Sequence, residues 1–550
     1  MEARTKRLTL VACILGSGIA LLDGTVVNVA LPTIQRALGG GLAAQQWVVN
    51  GYLLTLGSLI LIGGSLGDIF GERRVFAIGV AGFATASALC AISPTIGVLV
   101  GARALQGVAG ALLVPSSLAV IVNTFPEKER GPAIGTWTAW GAVAGVLGPL
   151  VGGELLDVAS WRWIFVINIP LAAICVALIL TQIPASAPRR TGARSVDYLG
   201  ATLCALGLGG PVFALIEQPR LGWSSPGVTG PLIGGLAVFA LFLFWESRAR
   251  EPMLPLKLFR RRNFSAGNVE TFSMYAGLSI LFFFLGLFLQ QIGGYTPLQS
   301  GLATLPTTII MFALSRRVGA LADRHGPRLF MGAGPLVAAG GLLLFQRTGV
   351  KADYVSEILP AVLVFSIGLS LTVAPLTAAV LAGSEHEAGI ASGVNNAVAR
   401  VAGLLGTAAV GAAISSSFVS FFNARVGSVA SDPRAQAALR EARRLPLGKP
   451  KLHGAGPHAG HVVTAAAEAA SLHAFHLGMM IAAVLVGAGG VVGAVFIENP
   501  GRGRVRASEC ASGQLVGVSS PEEVPDQDAG AASENGPARE RGRLGVGEKS

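Results

Sequence analysis

The sequence is short of charge. Only 13% of its 550 residues are Asp, Glu, Lys or Arg, about half the ~25% that a water-facing globular surface carries. Cysteine is scarce as well. Of five, Cys13, Cys90, Cys175 and Cys204 lie singly in apolar runs and Cys510 lies in a polar stretch, which excludes a disulfide framework or a metal-ligand spacing. No Gly-x4-Gly-Lys-Ser/Thr occurs anywhere, so the chain has no P-loop of its own for ATP. An ion gradient is the simplest remaining energy source, and no cofactor is expected.

What is there instead is apolar. Hydrophobic residues make up 52% of the chain, glycine occurs 74 times and the mean hydropathy is +0.62. Glycine is commoner in membrane helices than in soluble ones, because small residues let helices approach closely in lipid. Apolar runs long enough to cross about 30 Å of hydrocarbon fall at 8–31, 46–66, 75–94, 97–121, 133–155, 164–183, 197–216, 230–246, 266–291, 300–317, 328–346, 357–381, 389–415 and 473–497. The first follows a basic start, as a signal peptide would, but runs past secretory length and reads as a retained helix. The expectation is an all-α polytopic membrane protein with 14 transmembrane helices.

Fourteen crossings put both chain ends on one side. Short loops assigned to that side carry eighteen Lys and Arg, and the opposite short loops carry five: Arg36, Arg162, Arg220, Arg347 and Lys351. Basic residues concentrate in cytoplasmic loops, which predicts a multi-pass protein of the cell membrane with both termini in the cytoplasm. The same scatter disposes of nucleic acid as the reason for the net charge of +11, because no basic stripe forms.

The chain also repeats itself. Gly64-Ser65-Leu66-Gly67-Asp68-Ile69-Phe70-Gly71 returns as Gly319-Ala320-Leu321-Ala322-Asp323-Arg324-His325-Gly326, an offset of 255. Glu127-x-Glu129-x-Gly131-x-Ala133-x-Gly135 returns from Glu385 to Gly393 at an offset of 258, and Val143-Ala144-Gly145-x-Leu147-Gly148 meets Val401 to Gly406 in the same alignment. Two parallel halves with a midplane cavity are a transporter architecture. The offset is too long for six helices, so the reading is a six-helix bundle over 1–183, an inserted hairpin and basic loop over 184–262, and a second six-helix bundle over 263–497. An extracytoplasmic loop is expected over 418–471, with Asp432-Pro433 opening a helical stretch, and a disordered cytoplasmic tail over 498–550.

Several motifs share an order as well as a spelling. Leu22-Asp23-Gly24-Thr25-Val26-Val27-Asn28-Val29-Ala30-Leu31-Pro32 lies in helix one, and Gly64 to Arg74 joins helices two and three. Arg103-Ala104-Leu105-Gln106-Gly107 lies in helix four and Gly148-Pro149-Leu150-Val151-Gly152-Gly153 in helix five; Trp161-Arg162-Trp163-Ile164-Phe165, with Asn168 and Pro170, follows. Together they resemble the major facilitator superfamily, and within it the fourteen-helix drug:proton antiporters of multidrug efflux, over about residues 8–420 and the last helix. The resemblance implies a major facilitator fold, alternating access, antibiotic resistance, and export of drug-like or amphiphilic compounds in exchange for protons. The sequence departs from the pattern at Ala144, where the antiporter motif has glycine, and at Ile69 and Glu72, where basic residues are common. It departs again at Asn50, where some members carry a carboxylate linked to recognition of cationic drugs.

Proton coupling needs a group that can change charge inside the membrane. Asp23 lies about 22 Å along helix one from its cytoplasmic start, and Arg103 lies about 20 Å from the same face. Intramembrane ionisable groups are costly and expect partners. The candidate coupling pair is therefore Asp23 and Arg103, with Arg103 holding the carboxylate in one conformation and releasing it to take a proton in the other. A fixed structural ion pair is the alternative.

Arg400, close to the midplane in helix thirteen, faces substrate or pairs with Glu270. Asn28, Asn50, Gln106, Trp137, Trp140, Asn395 and Asn396 are further candidates for the cavity wall. Gly64, Asp68, Gly71, Arg73 and Arg74, with Asp323 and Arg324, read as a conformational gate whose charges latch neighbouring helix ends. Gly145, Gly148, Pro149, Gly152 and Gly153 are expected to let helix five pack closely and bend. His453, His458, His461, His473 and His476 cluster up to the start of the last span without acidic or cysteine ligands, and read as a solvated loop with no metal.

The expected partners are a small-molecule substrate, protons and the lipid bilayer, with the chain working as a monomer. An uptake symporter or metabolite permease of the same superfamily stays open on these residues. A membrane-embedded enzyme would need a cluster of catalytic groups at one depth, and the sequence offers only Asp23 and Arg103 there.

Overall fold

The structure, a computed structural model, describes residues 3–184, 196–381, 388–450, 452 and 455–499. The tail beyond 499, the basic loop residues Arg189, Arg190 and Arg194, and His453 lie outside the described residues. Among the described residues, fourteen helices are long and apolar enough to cross a membrane. They are α1 (Ala3–Leu38), α2 (Leu42–Phe70), α3 (Glu72–Ala91), α4 (Ile96–Thr124), α5 (Glu127–Val158), α6 (Trp163–Gln182) and α7 (Tyr198–Leu221). The second seven are α8 (Pro226–Arg248), α9 (Arg262–Gln291), α10 (Pro297–His325), α11 (Pro327–Leu344), α12 (Leu359–Leu381), α13 (Ala388–Arg425) and α14 (Pro457–Phe496).

Local chemistry fixes where many of them begin. Thr95, Asp197, Ser225 and Thr296 turn a side-chain oxygen onto a first-turn N–H, supplying a partner the helix itself cannot. Proline stands in the first turn of α8, α10, α11 and α14, where its missing N–H costs nothing. Gly71 between α2 and α3 and Gly326 between α10 and α11 have φ of +90° and +86°, a conformation glycine adopts without strain. The two glycines are 255 residues apart, so one tight turn is used twice.

Helices α1–α6 pack chiefly among themselves, as do α9–α14, and α7 and α8 form a hairpin. The hairpin is tight because of glycine: a Cβ on Gly207 would lie 2.8 Å from Phe239 Cα, and one on Gly210 would lie 2.3 Å from the Pro231 carbonyl oxygen. Helix α7 lies along the seam between α2 and α13. There Val212 and Ile216 pack with Leu404 and Ala408, and Trp47 Nε1 donates to Glu217 Oε1 at 3.1 Å. Helix α8 leaves Ile233, Leu236, Leu241 and Phe244 exposed, a surface that suits lipid because a helix satisfies its own backbone.

The two ends of the bundle differ. At the far end, opposite the N terminus, one apolar cluster joins Val26, Ala30 and Ile34 of α1 to Phe284 and Phe288 of α9. Helices α5 and α10 touch backbone to backbone there: a Cβ on Gly153 would lie 2.5 Å from Leu298 Cα, and one on Gly301 would lie 2.7 Å from the Pro149 carbonyl oxygen. At the near end the halves keep separate cores, one around Phe76, Phe83 and Ile121 and the other around Phe264, Met331 and Val380. A cavity of about 1500 Å³ opens between them.

Three expectations need correction. The 418–471 loop is shorter than its polarity suggested, because α13 runs on to Arg425 and α14 begins at Pro457. The alanine-rich stretch Ala465–Ala470 favours helix and packs into the core through Ala466, Ala467 and Ala470. Within the connection a short helix spans Gln436–Arg443, but Asp432 does not cap it; its Oδ1 accepts from Arg434 N at 2.9 Å instead. The histidines from His458 onward are helical rather than in a solvated loop. His473 stacks on Phe421 with ring centroids 4.3 Å apart, and His476 Nε2 donates to the Thr348 carbonyl at 3.0 Å.

Candidate functional site

Asp23 projects from the middle of α1 into the first bundle and is completely buried. Every group on its carboxylate is a donor. Arg103 Nη1 donates to Oδ2, while Gln106 Nε2 and Asn168 Nδ2 donate to Oδ1 at 2.9 and 3.1 Å. Arg103 and Gln106 lie three residues apart on α4 and so share a face, and Arg103 Nη1 also donates to Gln106 Oε1 at 2.6 Å. Ser87 Oγ on α3 accepts from Gln106 Nε2 at 2.8 Å and from Asn168 Nδ2 at 3.2 Å. Arg103 Nε reaches the Val48 carbonyl at 3.2 Å, and the guanidinium sits 4.4 Å from the centre of the Tyr52 ring. Five helices of one half thus converge on one carboxylate, in an arrangement suited to its ionised form.

The cavity lies just beyond this network. Arg103 and Tyr52 line it, whereas Asp23 does not. The arginine therefore stands between the acid and the open space. Asn28, Trp137, Asn396 and Arg400 also line the cavity, while Asn50, Gln106, Trp140, Glu270 and Asn395 lie outside the lining. Asn50 is buried at the seam between the halves, where its Oδ1 accepts from Thr407 Oγ1 at 3.1 Å. Gln106 belongs to the Asp23 network. Trp140 is exposed on α5. Asn395 turns into the second bundle and donates to Thr271 Oγ1 at 2.7 Å and Asn268 Oδ1 at 3.2 Å.

Glu270 does not pair with Arg400. It is buried against α14, where a Cβ on Gly493 would lie 2.6 Å from its Oε2, and neither carboxyl oxygen has a hydrogen-bond partner among the described residues. Arg400 makes no ion pair or hydrogen bond among the described residues. Arg400 faces the cavity, one of its two expected places, while Glu270 is turned into packing against α14, which is why the pair does not form.

Gly64 and Asp68 line the near part of the cavity and Asp68 is exposed. Arg73 Nη2 donates to the Leu180 carbonyl of α6 at 2.5 Å, and Arg74 and Arg324 are exposed. The side chain of Asp323 lies outside the described residues. Among the described residues no latch of Asp68 to an arginine forms, as befits an open near end.

In the α5 motif the glycines divide their labour. A Cβ on Gly148 would lie 2.0 Å from Thr25 Oγ1 and one on Gly152 would lie 3.0 Å from Val26 Cγ2, so both press on α1 directly beyond Asp23. Pro149 and Gly153 face α10 of the other half. Gly145 meets nothing within 4 Å and takes no part in close packing.

The family model described as Major Facilitator Superfamily matches residues 13–407. The chain belongs to that superfamily. The tetracenomycin C resistance and export protein of Streptomyces glaucescens is 35% identical over 475 residues, covering 82% of this chain and 84% of that one. Multidrug resistance protein Stp of Mycobacterium tuberculosis is 33% identical over 440 residues, 80% and 81% of the two chains. The puromycin resistance protein of Streptomyces alboniger is 37% identical over 396 residues, 71% and 78% of the two. Among solved structures, an inward-facing, unoccupied bacterial homologue of the human lysosomal transporter Spinster superposes with a TM-score of 0.61 at 15% identity. It covers 91% of this chain and all of that one, a likeness of fold. Family and fold together mark a multi-pass membrane transporter of small molecules rather than an enzyme.

Sequence reasoning found Asp23, Arg103 and Gln106 but missed Tyr52 and Ser87 and gave Asn168 no role. Each is a polar group in an apolar helix at about the depth of Asp23, and that shared depth was the available signal.

Proposed function

We propose that this major facilitator transporter exports drug-like, amphiphilic compounds from the cytoplasm in exchange for protons. The observation that carries the reading is the buried Asp23–Arg103 pair, one side chain removed from a cavity of about 1500 Å³. The names of the relatives supply the substrate class, and the basic short loops make the near end cytoplasmic. Both termini then lie in the cytoplasm and the cell membrane is the site of action, with the monomer as the working unit.

The mechanism follows from which groups touch. While Asp23 is ionised it holds Arg103 in place. A proton on the carboxylate removes one charge of the pair and frees the guanidinium at the cavity wall. Thr25 and Val26 lie just beyond Asp23 and bear on Gly148 and Gly152, so a shift of α1 passes to α5. Helix α5 in turn makes the far-end contact through Pro149 and Gly153. Proton binding is thereby connected to opening at the far end.

The test is reconstitution. Asp23→Asn in proteoliposomes should lose transport driven by an imposed pH gradient, by about 100-fold or more, while still exchanging labelled for unlabelled substrate across the membrane. Full gradient-driven transport by Asp23→Asn would sink the proposal.

A further inference from the structure

The charge of the cavity is uneven with depth. Its carboxylates, Asp68, Glu72, Asp197, Glu246 and Glu251, sit at near-end helix termini or in the segment after α8. Deeper in, the charged lining side chains among the described residues are Arg103 and Arg400. The charge of Arg103 is met by Asp23. Arg400 is met by nothing among the described residues, and it is half-buried.

Arg400 lies twelve residues into α13, about 18 Å from the near end and close to mid-membrane. It is one turn beyond Asn396, which also lines the cavity, so this helical face is turned towards the open space. A Cβ on Gly57 of α2 would come within 3.3 Å of Arg400 Cβ, which fixes the start of the side chain against the opposite half. Tyr52 and Tyr275 are within electrostatic reach of the guanidinium, and Phe282 and Phe283 form part of the same cavity wall. Arginine stays protonated in proteins, and an uncompensated cation at this depth is costly to maintain. A fold that leaves it bare towards a ligand space provides for an anion there.

We propose that the cavity takes amphiphiles carrying an acidic group on an apolar aromatic frame, and that the Arg400 guanidinium holds that group. The proposal rests on the export reading above and narrows its substrate class. The planar fork of arginine matches a carboxylate or sulfonate by two parallel hydrogen bonds, and the aromatic wall accepts the frame. With no carboxylate deep in the lining among the described residues, a lipophilic cation finds no counter-charge and meets a repulsive one.

The experiment is fluorescence titration of the full chain in lipid nanodiscs, with empty nanodiscs subtracted. The probes are 1-anilinonaphthalene-8-sulfonate, its neutral counterpart N-phenyl-1-naphthylamine, and the cation ethidium. Wild type should bind the sulfonate about tenfold more tightly than the neutral probe and bind ethidium most weakly. Arg400→Gln should lose about tenfold for the sulfonate and stay within about twofold for the neutral probe, whereas Arg400→Lys should keep part of the preference. Equal effects of Arg400→Gln on both probes, no effect on either, or a wild-type preference for ethidium would each overturn the proposal. If Arg400→Gln is not recovered folded, the wild-type order of the three probes and the preference kept by Arg400→Lys decide the matter. No gradient is applied, so failure here leaves proton-coupled export to stand or fall on Asp23→Asn.

Discussion

In the first half, buried charges answer one another: Asp23 meets Arg103, and Gln106, Ser87 and Asn168 complete the ring. In the second half Glu270 and Arg400 stand apart, one sealed against α14 and one bare to the cavity. The backbones nonetheless repeat closely. Thr95 caps α4, and Asp353, 258 residues later, caps the turn Tyr354–Ile358 that leads into α12. At the same offset the position of Arg103 is held by Ala361. One scaffold has thus been given two electrostatic characters. The difference teaches that the fold needs the helix crossings and the glycine turns, while the charges belong to function.

The sharpest way to break that comparison is to remove charge from each half in turn. Asp23→Ala leaves Arg103 buried without its partner and should cost about 3–5 kcal/mol of stability. Arg400→Gln and Glu270→Gln sever no pair and should each stay within about 1 kcal/mol. Thermal unfolding in detergent measures all three, and a large loss in Arg400→Gln would show that the second half hides a partner too. A smaller effect separates repeat-related glycines. Gly403→Ala would press on Ser279 Oγ, 2.6 Å from the new Cβ, and should cost about 1–3 kcal/mol. Gly145→Ala, at the equivalent place in α5, meets open space and should gain about 0.5 kcal/mol from helix propensity.

The smallest effect concerns the caps. Hydrogen bonds from the Ser356 hydroxyl and backbone N–H hold the Asp353 carboxyl below the usual carboxylate range. A depressed acid stabilises the fold above its unfolded pKa, about 3.9, and that contribution is lost as pH falls through the lower folded value. Acidification below about pH 4 should therefore loosen the start of α12 and spare α4, whose cap Thr95 is neutral. Amide exchange at Ser356 and Val98 reads the two caps side by side, and equal responses would erase the contrast.

How much of this was legible in the sequence follows from what each signal measures. Hydropathy counts residues along a helix axis, so the fourteen crossings, the depth of Asp23 and Arg103 and the parallel halves could all be read. Rotation about the axis could not, because helices that are apolar nearly all round have no clear face. Asn50, Asn395 and Glu270 were placed on the cavity for that reason, and all three point into packing. The start of α14 was missed for a related reason: His458 and His461 made a helical segment look like loop.

The contact between α5 and α10 at the far end has one more consequence. It is made where Gly153 and Gly301 have no side chain to dislodge, and the bonds that cross the halves beside it are neutral amide and hydroxyl ones, such as Gln290 Nε2 to the Val29 carbonyl at 3.0 Å and Gln46 Nε2 to the Thr407 carbonyl at 2.6 Å. Among the described residues, Lys6–Glu129, Asp23–Arg103, Glu217–Arg220 and Arg262–Glu498 are ion pairs that each lie within a single half or within the hairpin. Salt screens charges and leaves dispersion and amide bonds alone. The far-end contact thus owes little to charge, and ionic strength should leave it unchanged.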